Sequence, residues 1–157
     1  MRRDLFIDNN IASKFNNPAD LHYKELIEWL KDNHVITDED DRAYLMVSKK
    51  LLAEYYRSCR AARGATAIPA IIDKLGREGR LVKISNAQIK EFKQEYFTPK
   101  VIRKLRSNKE DRDHIPVVLL SERKYALARD INFTSDLEGF PGFSVFVCKR
   151  PEDMPYR

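Results

Sequence analysis

The chain has 157 residues, 43% of them hydrophobic and 34% charged, which is too apolar for a disordered chain and enough for one ordinary core. Lys and Arg number 29 against 24 Asp and Glu, and the resulting net charge of +5 favours a polyanionic partner. The apolar runs are far shorter than the roughly 20 residues of a membrane helix, and Asp8 interrupts the first of them, so we expect a cytoplasmic protein with no signal peptide and no membrane partner.

Apolar patterning alternates strand-like runs with helical spacing along the whole chain. In chain order we predict a strand at 5–7, a helix at 17–33, a strand at 43–47, a helix at 48–62, a helix at 66–78, a strand at 81–84, helical structure at 86–106, a helix from about 113, and strands at 125–128 and 144–148. This alternation favours one α/β domain over residues 1–157, with a central, mostly parallel sheet of about five strands between helices in a three-layer α/β/α arrangement.

Carboxylates stand where these elements meet. Asp8 ends the first strand and Asp130 the fourth, Glu54 lies in the helix after the second strand, and Asp113 begins the helix that leads to the fourth. Ligands of open α/β sheets bind beyond the carboxyl ends of the strands. Several carboxylates gathered there repel one another unless a cation lies between them, and oxygen ligands suit Mg²⁺ or Mn²⁺. Taken singly, an Asp after a strand or before a helix is more often a turn former or a helix cap than a metal ligand.

The acids also stand in motifs that follow one another in a familiar order. Residues 6–11 form an apolar strand followed by Asp-x-Asn, and residues 47–54 form a strand, a Ser and a helix that carries an acid. An Asp leads an apolar helix at 113–115, and Asp-x-Asn-aromatic follows a strand at 130–133. Together these segments resemble the motifs of PIN-domain ribonucleases, in the order of that family and across nearly the whole chain.

The resemblance implies a PIN-like fold with a metal-dependent endoribonuclease site that hydrolyses RNA phosphodiester bonds with Mg²⁺ or Mn²⁺. The implied catalytic and metal-binding acids are Asp8, Glu54, Asp113 and Asp130, with Asn10, Asn132 and Ser48 in support. Small stand-alone members of the family are usually toxins of the VapC-like type, so the resemblance also implies an antitoxin partner and a homodimer.

Two stretches rich in Lys and Arg, residues 57–80 and 98–109, adjoin the motifs of Glu54 and Asp113. Such stretches suit the phosphates of an RNA strand, and they are equally typical of a solvated helix surface. The candidates for phosphate contacts are Arg57, Arg60, Arg103 and Lys104.

Several alternatives remain open on the sequence. Asp111 competes with Asp113 for the third acidic position, and Ala128 stands where the family commonly has a Thr or Ser. A PIN-like module that has lost catalysis and only binds RNA or a protein is one other interpretation. A receiver-like signalling domain, which also carries acids at its strand ends, is another.

Overall fold

A computed structural model describes residues 1–32, 38–59 and 64–156. Within them one five-stranded sheet has the order β3-β2-β1-β4-β5, and every pairing in it is parallel. The strands are β1 (Arg3–Ile7), β2 (Ala43–Ser48), β3 (Leu81–Ile84), β4 (Tyr125–Leu127) and β5 (Phe146–Cys148). The predicted α/β/α class and parallel sheet are therefore confirmed.

Helices connect the strands and cover the sheet. They are α1 (Asn9–Ala12), α2 (Leu21–Asp32), α3 (Lys49–Ser58), α4 (Ile68–Arg77), α5 (Asn86–Tyr96), α6 (Pro99–Lys104), α7 (Lys109–Arg112), α8 (Ile115–Leu119) and α9 (Ile131–Glu138). Short 3-10 turns occur at Ser13–Asn16, Glu39–Asp41 and Pro151–Asp153. No helix in the part of the chain that the structure describes has the length and apolar character needed to cross a bilayer.

Element boundaries differ from the predictions where side chains cap the helices. The helical region 86–106 is two helices, because Thr98 caps a new helix that has Pro99 at its first position. The helix predicted from about 113 begins at Ile115, and Asp113 instead ends α7, a helix that the pattern did not predict. The last residues of the predicted helices 17–33 and 48–62 lie outside the described residues.

The strand order places a topological switch point between β1 and β4. The chain adds β2 and β3 on one side of β1 and then β4 and β5 on the other, so the crossing direction reverses at this crevice. The amide of Asp8 donates to the carbonyl of Leu127 at 2.9 Å, which joins the ends of the two strands. This order differs from the 2-1-3-4-5 order of flavodoxin-like sheets, so the topology does not favour the receiver-like alternative.

The core is built on the two central strands. Every residue of β2 is buried, and Leu5, Phe6 and Ile7 of β1 are fully buried, as expected for strands covered on both faces. Tyr55 of α3 is also fully buried, and its hydroxyl donates to the carbonyl of Ile7. Burial raises the pKa of Tyr55 well above its usual value, so the hydroxyl remains a donor. This bond fixes α3 against the end of β1, where Asp8 begins the next segment.

Arg80 directly precedes β3, at the end of the sheet opposite to the carboxyl ends of the strands. The basic stretch 57–80 includes it, yet its side chain is only 1% exposed. Its guanidinium donates to the carbonyls of Leu30 at 2.7 Å, Lys31 at 3.3 Å and Ala43 at 3.1 Å, and it pairs with Glu78 at 2.6 Å. Arg80 thus satisfies carbonyls at the end of α2 and belongs to the folded core, not to a basic surface.

Replacement of this arginine should destabilise the fold strongly. Arg80→Ala leaves buried carbonyls without their donor and leaves Glu78 with Lys74 as its remaining cation, so we expect a loss of about 3 kcal/mol in the free energy of unfolding. Urea denaturation measures the loss. Arg77→Ala is the matched control, because Arg77 forms an exposed ion pair with Asp73 and should change stability by less than about 0.5 kcal/mol. Equal effects of the two substitutions would contradict the role assigned to Arg80.

Candidate functional site

Asp8 ends β1 and caps α1. Its backbone is extended (φ −67°, ψ 151°), and its Oδ1 accepts a hydrogen bond from the amide of Asn9 at 2.9 Å. Burial raises the pKa of Asp8 to about 6, against an ordinary value of 3.8. The negative charges of Asp111 and Glu54 raise it further, while the Asn9 amide and His114 act in the opposite direction. Asp8 is therefore largely shielded from solvent and lies near other negative charges.

Asp130 lies on the other side of the switch point, three residues after β4. Its Oδ1 accepts a hydrogen bond from the amide of Phe133 at 2.8 Å and so caps α9. Ala128, the residue that replaces the expected hydroxyl, is fully buried and offers no polar atom from its side chain. The two proposed supporting residues, Asn10 and Asn132, lie in the first turns of α1 and α9 and are exposed.

Glu54 is paired with a buried histidine. Its two carboxylate oxygens lie 3.0 and 2.9 Å from Nε2 of His114, whose side chain is only 1% exposed. A carboxylate only accepts hydrogen bonds, so Nε2 carries the proton. Nδ1 of His114 is buried and has no hydrogen-bond partner among the described residues. No sequence pattern singled out His114, although the residue follows Asp113 directly.

Ser48 supports this arrangement through the helix. It is the last residue of β2 and the cap of α3, and its Oγ accepts from the amide of Leu51 at 3.1 Å. Its side chain is buried and is used in the cap. Ser48 therefore sets where α3 begins and, with it, where Lys50 and Glu54 stand.

Asp113 is held apart from the other acids by two lysines. Its carboxylate accepts from Nζ of Lys50 at 2.7 Å and also forms an ion pair with Nζ of Lys93. Burial acts to raise the pKa of Asp113, but the hydrogen bonds and charges of the two ammonium groups outweigh it and lower that pKa. The proposed third acid is therefore already neutralised by its own neighbours.

Asp111 interacts electrostatically with Glu54 and Asp130. Burial raises its pKa, and the charges of Asp130, Glu54 and Glu110 raise it further, against the effect of His114. In the described part of the chain no ion pair joins Asp8, Asp111 or Asp130 to a basic side chain. The structure thus couples Asp111, in place of Asp113, to the other predicted acids.

The carboxylates of Asp8, Glu54, Asp111 and Asp130 form what we term the acidic centre. Within residues 1–32, 38–59 and 64–156, no group of three or more His, Cys, Asp or Glu is arranged to hold a metal ion as the side chains stand. One reason is that Asp8 and Asp130 cap helices and Glu54 faces His114. The chemistry of the donors nevertheless fits Mg²⁺ or Mn²⁺, since all are hard oxygen ligands whose mutual repulsion a cation would relieve.

The predicted RNA contacts are spread over separate surfaces. Arg57 is exposed near the end of α3, and Arg103 and Lys104 are exposed in the last turn of α6. Lys104 lines a cavity of about 460 Å³ beside α9, and none of the four acids lines this cavity. Arg60 lies outside the described residues.

Other basic side chains line a second cavity, of about 470 Å³, beyond the ends of β4 and β5. Arg129 directly precedes Asp130, and Lys149 and Arg150 follow β5. None of the four acids lines this cavity either. The strand pattern could have indicated this placement, because residues that follow two neighbouring parallel strands meet at the same edge of the sheet.

Comparisons with models of protein families, with curated proteins and with solved structures found no match for this chain. The resemblance to PIN-domain ribonucleases therefore stays a hypothesis carried by the four motifs.

The raised pKa of Asp8 predicts a specific pH dependence of stability. The folded protein binds a proton at Asp8 more tightly than the unfolded chain, so the contribution of Asp8 is full below about pH 4 and is lost as the pH rises through about 6. Asp8→Asn is neutral throughout. In EDTA, its free energy of unfolding should therefore rise relative to wild type between these pH values, by up to about 3 kcal/mol, as measured by urea denaturation.

Asp113→Asn is the control, and its effect should have the opposite sign. The pKa of Asp113 is lowered, so its contribution is present at neutral pH and disappears as the pH falls. A difference between Asp8→Asn and wild type that does not vary with pH would contradict the buried, charge-coupled environment of Asp8.

Proposed function

We propose that this protein is a metal-dependent, PIN-like endoribonuclease that hydrolyses RNA phosphodiester bonds at the acidic centre. The observation that carries the proposal is the placement of Asp8 and Asp130 after the neighbouring parallel strands β1 and β4, on the two sides of the switch point. Burial and the charges of Asp111 and Glu54, which raise the pKa of Asp8, support it. Carboxylates of four different segments share one field at the edge of the sheet where α/β proteins bind ligands. Clustered acids with raised pKa values are typical of functional sites.

The proposed roles follow from what fixes each side chain. Asp8 and Asp130 are held by the caps of α1 and α9 and, with Asp111, would bind Mg²⁺ or Mn²⁺. Glu54 is held by Nε2–H of His114 and would orient the attacking water. The ion, when bound, lowers the pKa of a coordinated water and offsets the charge that develops on the phosphoryl oxygens.

The surroundings of the acidic centre support a polyanionic substrate. Arg129, Lys149 and Arg150 lie on the side of β4 and β5, and Lys50 and Lys93 lie on the side of α3 and α5. Phosphates on either side of a cleaved bond would meet positive charge in both directions. The choice of RNA, a VapC-like role, an antitoxin and a homodimer come from the resemblance alone and remain parts of the proposal.

A second candidate is a PIN-like module that binds RNA without cleaving it. The observation that favours it is the present orientation of the side chains, with Glu54 already satisfied by His114 and a buried Ala128 beside the site. Such a module would keep the basic surroundings and bind RNA equally well in EDTA.

Cleavage assays separate these possibilities residue by residue. Purified protein is incubated with labelled single-stranded and hairpin RNA in Mg²⁺, Mn²⁺ or EDTA. We expect metal-dependent cleavage that falls about 100-fold or more in Asp8→Asn, Asp111→Asn and Asp130→Asn, because each removes a charge from the centre. Asp113→Asn is the matched control and should keep most of the activity, because Asp113 is paired with Lys50 and Lys93.

Three results would contradict this assignment in different ways. Loss of cleavage in Asp113→Asn with full activity in Asp111→Asn would return the third position to Asp113. RNA binding without cleavage by wild type in any of the metals would support the module that only binds. Absence of both cleavage and binding would overturn the proposed function.

A further inference from the structure

A groove of about 590 Å³ lies between α3, α5 and α6, next to the acidic centre. Its floor is apolar and its rim is basic. The floor contains Ile89, Phe97 and Ile102, and the rim contains Lys50, Lys90 and Lys93. We name it the lysine groove. Ile102 is 42% exposed, so its side chain is accessible to a ligand in the groove.

The lysine groove is linked to the acidic centre through α3 and through residues 113–114. Lys50 and Glu54 are four residues apart on α3 and therefore stand on the same side of the helix, one turn of about 5.4 Å apart. Asp113, which lines the groove, is followed directly by His114, which binds Glu54. A polymer with one phosphate at the acidic centre would place its neighbouring unit in this groove.

The charges of the groove suit an anionic ligand. Asp113 draws the ammonium groups of Lys50 and Lys93 to one point, and Nζ of Lys93 also lies 5.7 Å from the ring centroid of Phe97. Lys90 adds a third positive charge at the rim. The carboxylate of Asp113 accounts for one negative charge against three positive ones, so the groove keeps an excess of positive charge.

The shape of the groove favours a nucleotide over a protein helix. An amphipathic helix is anchored by a row of apolar contacts over two or more turns, whereas this floor has three apolar side chains. An apolar floor that includes an aromatic ring, below a cationic rim, is the combination by which proteins hold an unpaired base and its phosphate.

We infer that the lysine groove binds an unpaired nucleotide next to the phosphate that is cleaved, with the base against Phe97 and Ile102 and the phosphate at Lys50, Lys90 and Lys93. The position of the cleaved phosphate rests on the proposed function, but binding in the groove can be measured without cleavage. A base within a duplex cannot reach the floor, so the protein should prefer single strands.

Fluorescence anisotropy in EDTA tests the inference with three labelled probes: a short single-stranded oligoribonucleotide, the same strand with abasic residues, and its duplex. Ile102→Ala should weaken binding of the single strand about five-fold or more and leave binding of the abasic strand unchanged. Leu120→Ala is the matched control, since Leu120 is 40% exposed at the end of α8 and does not line the groove. It should bind all three probes as wild type does.

Two more variants separate the base from the phosphate. Phe97→Ala should act as Ile102→Ala does, with its fold checked by urea denaturation because Phe97 packs against Phe92 and Phe140. Lys90→Gln should weaken binding of the normal and abasic strands by similar factors and reduce the salt dependence of both. These patterns assign the floor to the base and the rim to the phosphate.

Unchanged affinity of Ile102→Ala and Phe97→Ala for the single strand would overturn the inference, as would duplex binding as tight as that of the single strand. Unchanged RNA affinity with weaker binding of a Glu-rich amphipathic peptide would assign the groove to a protein partner and also overturn it. Base-dependent binding supports the groove whether or not the protein cleaves RNA. Cleavage by wild type without any effect of the floor variants on affinity overturns the groove alone and leaves the proposed function standing.

Discussion

Repulsion among carboxylates dominates the electrostatics at the C-terminal ends of the strands of this sheet. Parallel pairing brings the ends of β1 and β4 together, so Asp8 and Asp130 lie on the two sides of the switch point. Helices α3 and α7 add Glu54 and Asp111 to the same field, and burial together with these charges raises the pKa of Asp8. Such a group of carboxylates lowers the stability of the folded protein unless protons or a cation offset its charge. Its presence is therefore the reason to expect a cationic ligand there.

The neighbours of each acid divide the carboxylates into two kinds. Lys50 and Lys93 neutralise Asp113 and lower its pKa, whereas burial and nearby carboxylates raise the pKa of Asp111. Two residues of similar sequence context therefore have opposite electrostatic environments. Asp113 is suited to organise basic side chains, and Asp111 is suited to share a cation. The same ion pairs that remove Asp113 from the acidic centre create the rim of the lysine groove.

The sequence indicated the framework and the positions of three acids of this group, Asp8, Glu54 and Asp130, because local signals specify strand ends and the helix after β2. Strand runs give the parallel sheet, and Asp8 and Asp130 directly follow strands or cap helices. The ion pairs of Asp113 could not be predicted, because their partners Lys50 and Lys93 lie 63 and 20 residues away along the chain. The burial of Arg80 had no local signal either. A stretch rich in Lys and Arg is typical of a surface, and the carbonyls that Arg80 binds come from distant parts of the chain.

The central claim is that the acidic centre binds a divalent cation, and paramagnetic broadening by Mn²⁺ in an NMR titration tests it most directly. Broadening depends on distance from the ion and needs neither RNA nor turnover. We expect the amide signals of Asn9, Arg112 and Ile131 to broaden first in wild type, and this selective broadening to be lost in Asp8→Asn. Selective broadening elsewhere, or the same broadening in Asp8→Asn, would contradict the claim.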